Sequence, residues 1–130
     1  MTEATTLRFS RIVCTADGGS RFVDAELALT GRTVAAGVPA MAVAGMSAAA
    51  TVTYLRSSRF DSEPHPAPAR QWVVMLRGVI EVTTSDGVQR RFGPGDLVHV
   101  EDTDGRGHIT TGVGEAPFEA LFVPTTESGS

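Results

Sequence analysis

The sequence predicts an all-β protein, and three features of the 130-residue chain lead to that prediction. The dominant hydrophobic period is two rather than 3.6, which is the spacing of a strand with one buried face. Short runs rich in β-branched residues recur at intervals of about 8–12 residues. Turns containing Gly or Pro separate them, such as Ser85-Asp86-Gly87 and the segment 93–96. This combination is typical of a sandwich or a barrel.

The C-terminal half shows this pattern most clearly. An apolar run at 72–76 ends at Gly78, a β-branched run follows at 79–84, and an Asp-Gly turn then favours a tight hairpin. Further strands are predicted at 88–92, 97–100, 108–111 and 119–123. In the N-terminal half the candidate strands are 11–14, 20–29 and 51–55, whereas 40–50 has a helical composition that Gly45 interrupts. The Pro-rich segment 64–68 must be extended, because each proline disfavours a helix before it.

Composition and charge exclude several classes of function. The net charge is −4 and the basic residues form no concentrated patch, so we expect no nucleic-acid partner. The uncharged segment 33–55 is long enough to span a bilayer, but it is poor in Leu, Ile and Phe, and we expect no membrane association. The chain has no Lys, which excludes Schiff-base chemistry on a lysine of this chain. The N-terminus is not that of a secretory signal, so a cytoplasmic location is expected.

Four motifs in the second half of the chain stand in a specific order. They are HPAPARQ at 65–71, Gly78, FGPGD at 92–96 and EDTDGRGH at 101–108. In this order and at these spacings they resemble a small single-domain cupin, closely over 64–111 and elsewhere only by strand content. The resemblance implies one cupin-type β-barrel, or double-stranded jelly roll, over 8–123. An N-terminal tail at 1–7 and a polar C-terminal tail at 124–130 would flank it, and the family likeness also implies a homodimer.

The same resemblance implies a site inside the barrel. The first cupin motif usually has two histidines two residues apart, then a Glu, then a Gly seven residues after the Glu. Counting back from Gly78 puts Gln71 at the Glu position, Ala67 at the second histidine and His65 at the first. His108 stands where the second motif places its histidine. The implied site therefore consists of His65, Gln71 and His108.

This set of residues departs from a typical cupin metal site. A divalent metal such as Fe, Mn, Ni or Zn usually meets three imidazoles and a carboxylate there, whereas His65, Gln71 and His108 provide no anion. Two carboxylates are candidates to complete a metal site. Glu63 stands two residues before His65 and would point the same way, and Glu81 lies on the following strand. A bound divalent metal stays an alternative rather than a conclusion.

Other residues are candidates to line the pocket and contact a substrate. Val73, Met75, Phe118 and Phe122 have the apolar character of a barrel interior, which also suits a small apolar ligand. Tyr54 is the only phenol and a candidate acid, and Arg70 is a candidate for binding an anionic group. Trp72 alternates away from Gln71 and is expected to pack outside the site.

The resemblance and the missing anionic ligand together imply an enzyme acting on a small, mostly apolar organic molecule by non-redox acid–base chemistry. The reaction would be that of an isomerase, cyclase, dehydratase or lyase, such as those of secondary metabolism. His65 or His108 would be the base and Gln71 the donor to a developing oxyanion. Two alternatives are open: a metal-dependent oxygenase or lyase, and a non-enzymatic module that binds a small ligand.

Overall fold

A computed structural model describes residues 5–33, 35–46, 51–57, 63–114 and 116–125 of the chain. All regular secondary structure in these ranges is β-strand, so the predicted all-β class is confirmed. The strands are β1 (Thr6–Cys14), β2 (Ser20–Ala28), β3 (Thr30–Arg32), β4 (Met41–Val43), β5 (Thr53–Ser57), β6 (Gln71–Arg77), β7 (Val79–Thr84), β8 (Gln89–Phe92), β9 (Leu97–Val100), β10 (His108–Val113) and β11 (Phe118–Pro124). Residues 1–4 and 126–130 of the predicted tails and 47–50 of the Ala-rich stretch lie outside the described residues.

Two larger sheets form the body of the protein. The first has six strands in the order β2-β1-β9-β6-β11-β5, and the second has three in the order β10-β7-β8. A separate two-stranded sheet pairs β3 with β4. Neighbouring strands run antiparallel, except that β1 and β9 are parallel. In the described part of the chain the two larger sheets share no strand pair.

The hydrophobic core lies between these two sheets. Period-two alternation directs one set of side chains inward, as in β7, where Ile80, Val82 and Thr84 are buried and the residues between them are half-buried. The core cluster takes side chains from both sheets and one, Ala67, from the proline-rich segment: Ile12, Phe22, Ala67, Val73, Met75, Ile80, Val82, Phe92, Val98, Val100, Phe118 and Ala120. Phe22 of β2 and Phe92 of β8 meet with ring centroids 6.2 Å apart, which ties an edge of one sheet to an edge of the other.

The proline-rich segment before β6 lies against β10. His65 and His108 form an antiparallel bridge, in which each backbone N–H donates to the carbonyl of the other residue, over 3.1 and 3.0 Å. The N–H of Ala67 donates to the Asp102 carbonyl over 2.9 Å. The segment is therefore held in an extended conformation by the loop that leads into β10.

Gly107 makes this close approach possible. It has a φ of +70°, and a Cβ added there would stand 1.9 Å from the His65 carbonyl oxygen. That oxygen belongs to backbone held by the bridge, so it has no freedom to move aside. Only glycine satisfies both the backbone angle and the contact.

We predict that Gly107→Ala destabilises the fold by about 3 kcal/mol or more, because it combines an unfavourable backbone angle with a backbone clash. The matched control is Gly87→Ala, whose glycine has a similar φ of +86° but open space where the Cβ would be. The control carries only the conformational cost of about 1–2 kcal/mol. Urea unfolding of both variants measures the difference. Equal losses would contradict the packing of His65 on Gly107.

Candidate functional site

A cavity of about 390 Å³ opens within the core between the two sheets. Its described lining is mostly apolar, and its polar members include the three residues of the predicted site, His65, Gln71 and His108. The apolar part of the lining comes from both sheets and from the proline-rich segment: Ile12, Leu55, Pro66, Ala67, Pro68, Val73, Ile80, Val82, Val98, Val100, Phe118 and Phe122. The volume falls within the range of about 300–1,000 Å³ that small-molecule sites occupy.

The backbone bridge places the two histidines side by side. Residues paired directly across two antiparallel strands project their side chains to the same face. The rings of His65 and His108 accordingly lie with their centroids 5.2 Å apart, and both line the cavity. The residues are 43 positions apart in the sequence, so it is the bridge rather than chain proximity that brings these imidazoles together.

His108 is paired with a buried carboxylate. Its Nδ1 atom lies 2.5 Å from Oδ2 of Asp102, whose side chain is 0% exposed. A carboxylate accepts hydrogen bonds, so Nδ1 carries the proton and donates it. When the ring is neutral, this fixes the tautomer and leaves Nε2 with its lone pair as the ring nitrogen for a bound molecule. Asp102 Oδ1 is also buried and has no hydrogen-bond partner among the described residues.

His65 has its ring oriented in a similar way. Its Nδ1 atom lies 2.8 Å from the carbonyl oxygen of Glu63, which is an acceptor, so Nδ1 donates here as well. The neutral imidazole then has its lone pair on Nε2. Both histidines of the cavity thus use Nδ1 for an internal contact and keep Nε2 for a ligand.

The structure brings together most of the predicted site. Gln71 is buried and shares the inner face of β6 with Val73, and both line the cavity. Phe118 and Phe122 lie four residues apart on β11, so they share a face and also line it.

Three of the predicted contact residues do not line the cavity. Tyr54 is 49% exposed on the outer face of β5, where its hydroxyl donates to Glu119, because the alternate residue Leu55 takes the inner position. Arg70 is exposed at the residue before β6. Met75 is buried in the core cluster, two residues further along the inner face of β6 than Val73, and contributes packing rather than lining.

Neither candidate carboxylate completes a metal site. Glu81 alternates with Ile80 and Val82, so it faces away from the cavity and accepts a hydrogen bond from Arg91 at 3.0 Å. Glu63 is exposed and contributes its backbone carbonyl to His65. Across the described ranges no three His, Cys, Asp or Glu side chains gather as a metal ion requires. Two imidazoles and a neutral amide do not fit Fe, Mn, Ni or Zn as direct ligands, because none of the three is an anion and the buried carboxylate of Asp102 does not line the cavity.

A second carboxylate–histidine pair stands on the opposite face of the six-stranded sheet. His99 is the register partner of Trp72, their rings lie 4.6 Å apart, and His99 Nδ1 is 2.7 Å from Glu101. The Arg11 guanidinium donates to both oxygens of Glu101, over 2.6 and 2.8 Å. Burial raises the pKa of Glu101, but these hydrogen bonds and the charges of Arg11 and His99 outweigh it and lower that pKa to about 2.

Asp102 is the site residue that the sequence analysis missed. In the sequence it belongs to an acidic loop after FGPGD, where turn-forming carboxylates are common. The sequence offers one signal for this residue. Asp102 stands six residues before His108, and the residues between them are all polar or Gly. Full burial of the carboxylate beside an imidazole distinguishes it from Asp104, which is exposed in the same loop.

Comparison with known protein families and with curated proteins finds no match to the chain. Among the described residues there is also no helix with the length and apolarity needed to cross a bilayer.

We predict that Glu101→Gln lowers the free energy of unfolding at neutral pH by about 1–3 kcal/mol, because the Arg11 and His99 contacts lose their charged acceptor. The folded-state pKa lies below the ordinary 4.5, so the carboxylate stabilises the fold above pH 4.5. That contribution is lost as the pH falls towards 2. The difference between wild type and variant should therefore shrink over this range, as urea unfolding at a series of pH values would show.

The matched control for this prediction is Glu81→Gln. It removes an ion pair with the exposed Arg91 and should change the free energy of unfolding by less than about 1 kcal/mol. A difference between wild type and Glu101→Gln that stays constant down to pH 2 would contradict the assignment.

Proposed function

We propose that the chain is a small cupin-type enzyme that moves protons on a small, mostly apolar molecule held in the cavity, with His108 as the base. The observation that carries this proposal is the contact of buried Asp102 with His108 at the wall of that cavity. A buried polar atom without a partner, such as Asp102 Oδ1, calls for an explanation, and a catalytic role is one.

The chemistry follows from the hydrogen bond at Nδ1. Nε2 of neutral His108 removes a proton from the carbon next to a carbonyl, and the electron pair of that C–H bond moves toward the carbonyl oxygen. The Asp102 carboxylate, 2.5 Å from Nδ1, stabilises the imidazolium that results. His108 then returns the proton to a different atom of the same molecule, which completes an isomerisation or prepares a cyclisation or elimination.

Gln71 and His65 have supporting roles in the same cavity. The buried Gln71 amide has N–H groups to donate to the oxygen on which negative charge develops. His65, whose ring lies beside His108, is a second acid–base group for a proton that must move between two positions. No metal takes part in this scheme, because the donor set does not fit one.

The cupin assignment is supported by agreement between motif and geometry. The motif spacing pairs His65 with His108 and Gln71, and these three residues line one cavity of an all-β protein. The closed barrel or jelly roll belongs to this proposal, as does the homodimer that the family likeness implies. The six-stranded sheet ends in the edge strands β2 and β5, and an open sheet edge favours pairing between copies.

A non-enzymatic ligand-binding module is the second candidate, because the apolar cavity by itself is sufficient for binding. The two candidates differ in whether His108 does chemistry on the bound molecule. An assay of proton removal separates them without knowledge of the natural substrate.

We predict that the protein accelerates deuterium exchange at the carbons next to the carbonyl of simple ketones in D₂O, measured by proton NMR on octan-2-one, cyclohexanone and acetophenone. His108→Gln should lower the rate about 10²–10⁴-fold, the usual contribution of a general base. Asp102→Asn should lower it at least tenfold, since the amide no longer stabilises the imidazolium.

His99→Gln is the control for this experiment. It disrupts the other carboxylate–histidine pair, which lies outside the cavity, and should leave exchange at the wild-type rate. Ketone binding without any exchange above the protein-free rate would favour the binding module. Exchange that survives His108→Gln would remove His108 as the base.

A further inference from the structure

The cavity contains no charged group that a ligand would contact in the part of the chain that the structure describes. None of its described lining residues is Arg, Asp or Glu. The guanidinium groups with described ion pairs meet carboxylates away from the cavity: Arg8, Arg11, Arg56, Arg77, Arg90, Arg91 and Arg106. An anionic ligand would therefore lose its hydration without gaining an arginine partner among the described lining residues.

Asp102 adds to the cost of binding an anion. Its carboxylate is fully buried and stands directly behind His108, so a second negative charge in the cavity would be repelled across the ring. The same charge attracts a cationic ligand across the ring, but no direct ion pair with it offsets the hydration that the cation loses on entering the cavity. Asp102 is 0% exposed and does not line the cavity, so it cannot serve as a counter-ion in direct contact.

The apolar walls also limit where a ligand's polar group can lie. Ile12, Val73, Ile80, Val82 and Val98 are β-branched residues on four strands, and such side chains are stiff at χ1, which gives the wall a fixed shape. A hydroxyl or amide placed against this wall would have no partner and would bind less well than hydrocarbon.

The polar residues of the described lining are His65, Gln71, His108 and Thr110, and the first three suit one small polar group. His65 and His108 lie side by side, and Gln71 projects into the same small cavity. The Gln71 amide donates and the two Nε2 atoms accept, so a carbonyl with an acidic C–H next to it matches both kinds of partner. A phosphate, a sugar or a free carboxylate would need more donors or a positive charge.

We infer that the substrate is an uncharged molecule with one carbonyl at the end of a hydrocarbon body, such as a ketone, an enone, an aldehyde or a lactone. This inference rests on the proposed function in taking the cavity as the substrate site. It excludes phosphorylated compounds, sugars, free carboxylic acids and amines as substrates.

The test compares three probes of equal chain length at pH 8, where the second and third are charged: octan-2-one, octanoate and octylammonium. Isothermal titration calorimetry gives the affinities, and the rise in Tm on ligand addition provides an independent readout. We expect octan-2-one to bind at least tenfold more tightly than either ion. Octanoate or octylammonium binding as tightly as octan-2-one would overturn the inference, and so would failure of octan-2-one to bind at millimolar concentration.

Two variants test the position of the carbonyl. Gln71→Leu keeps the volume and removes the amide, and it should weaken octan-2-one binding at least fivefold. Gln89→Leu is the matched control, because this exposed glutamine on β8 does not line the cavity and should leave the affinity unchanged. Equal affinity for octan-2-one in wild type and Gln71→Leu would remove the carbonyl from the polar end of the cavity and overturn that part of the inference.

Failure of this inference is distinguishable from failure of the proposed function. Tight octan-2-one binding without deuterium exchange leaves the ligand class in place and removes the enzyme. Exchange on a charged keto acid that is faster than on octan-2-one leaves the enzyme in place and overturns the ligand class.

Discussion

Two backbone hydrogen bonds between His65 and His108 are the contact on which the rest of the site depends. They cover the outer edge of β10, which is otherwise an edge strand of the three-stranded sheet. They also turn the extended proline-rich segment into one wall of the cavity. Without this bridge the two imidazoles would not be held side by side. The cavity would then lose His65 and the part of its wall that the proline-rich segment forms. The glycine at 107 is the local condition for the bridge, because any side chain there would collide with the His65 backbone.

The buried charge of Asp102 gives the cavity its chemical character. A carboxylate removed from water is costly unless a partner compensates it, and His108 is the partner that the fold provides. That pairing directs Nδ1 of His108 to Asp102 and leaves Nε2 for the proposed ligand. Because Asp102 is buried behind His108, a molecule in the cavity would contact imidazoles, an amide and hydrocarbon rather than a salt bridge. The proposed acid–base chemistry and the inferred preference for uncharged molecules therefore both rest on this one interaction.

The neighbouring residues Glu101 and Asp102 project to opposite faces of the six-stranded sheet. Glu101 pairs with Arg11 and His99 on the outer face, whereas Asp102 pairs with His108 on the inner one. The outer pair has partial access to water and a guanidinium to neutralise it, which is the condition of a stabilising ion pair. The inner pair has neither, so the hydrogen bond from His108 is the one that the buried carboxylate accepts among the described residues. The two carboxylate–histidine pairs therefore differ in solvent access and in the presence of a nearby cation.

The sequence by itself determined the elements whose signal is local. The β-branched run at 79–84 is the strand β7, the run at 97–100 is β9, and the Asp-Gly turn joins β7 to β8. His65, Gln71 and His108 were selected by the resemblance of the motifs to those of a cupin rather than by any local signal. The tertiary structure decided the rest, because strand alternation says which residues share a face but not which face is buried. Both faces of β9 carry apolar residues, so only the packing of the two sheets puts His99 outside and Val98 inside. For the same reason the sequence did not show that Tyr54 and Glu81 point away from the cavity. Only the long-range contacts of the fold reveal Asp102 as a residue of the candidate site, because the burial of a loop carboxylate depends on which other segments pack over it.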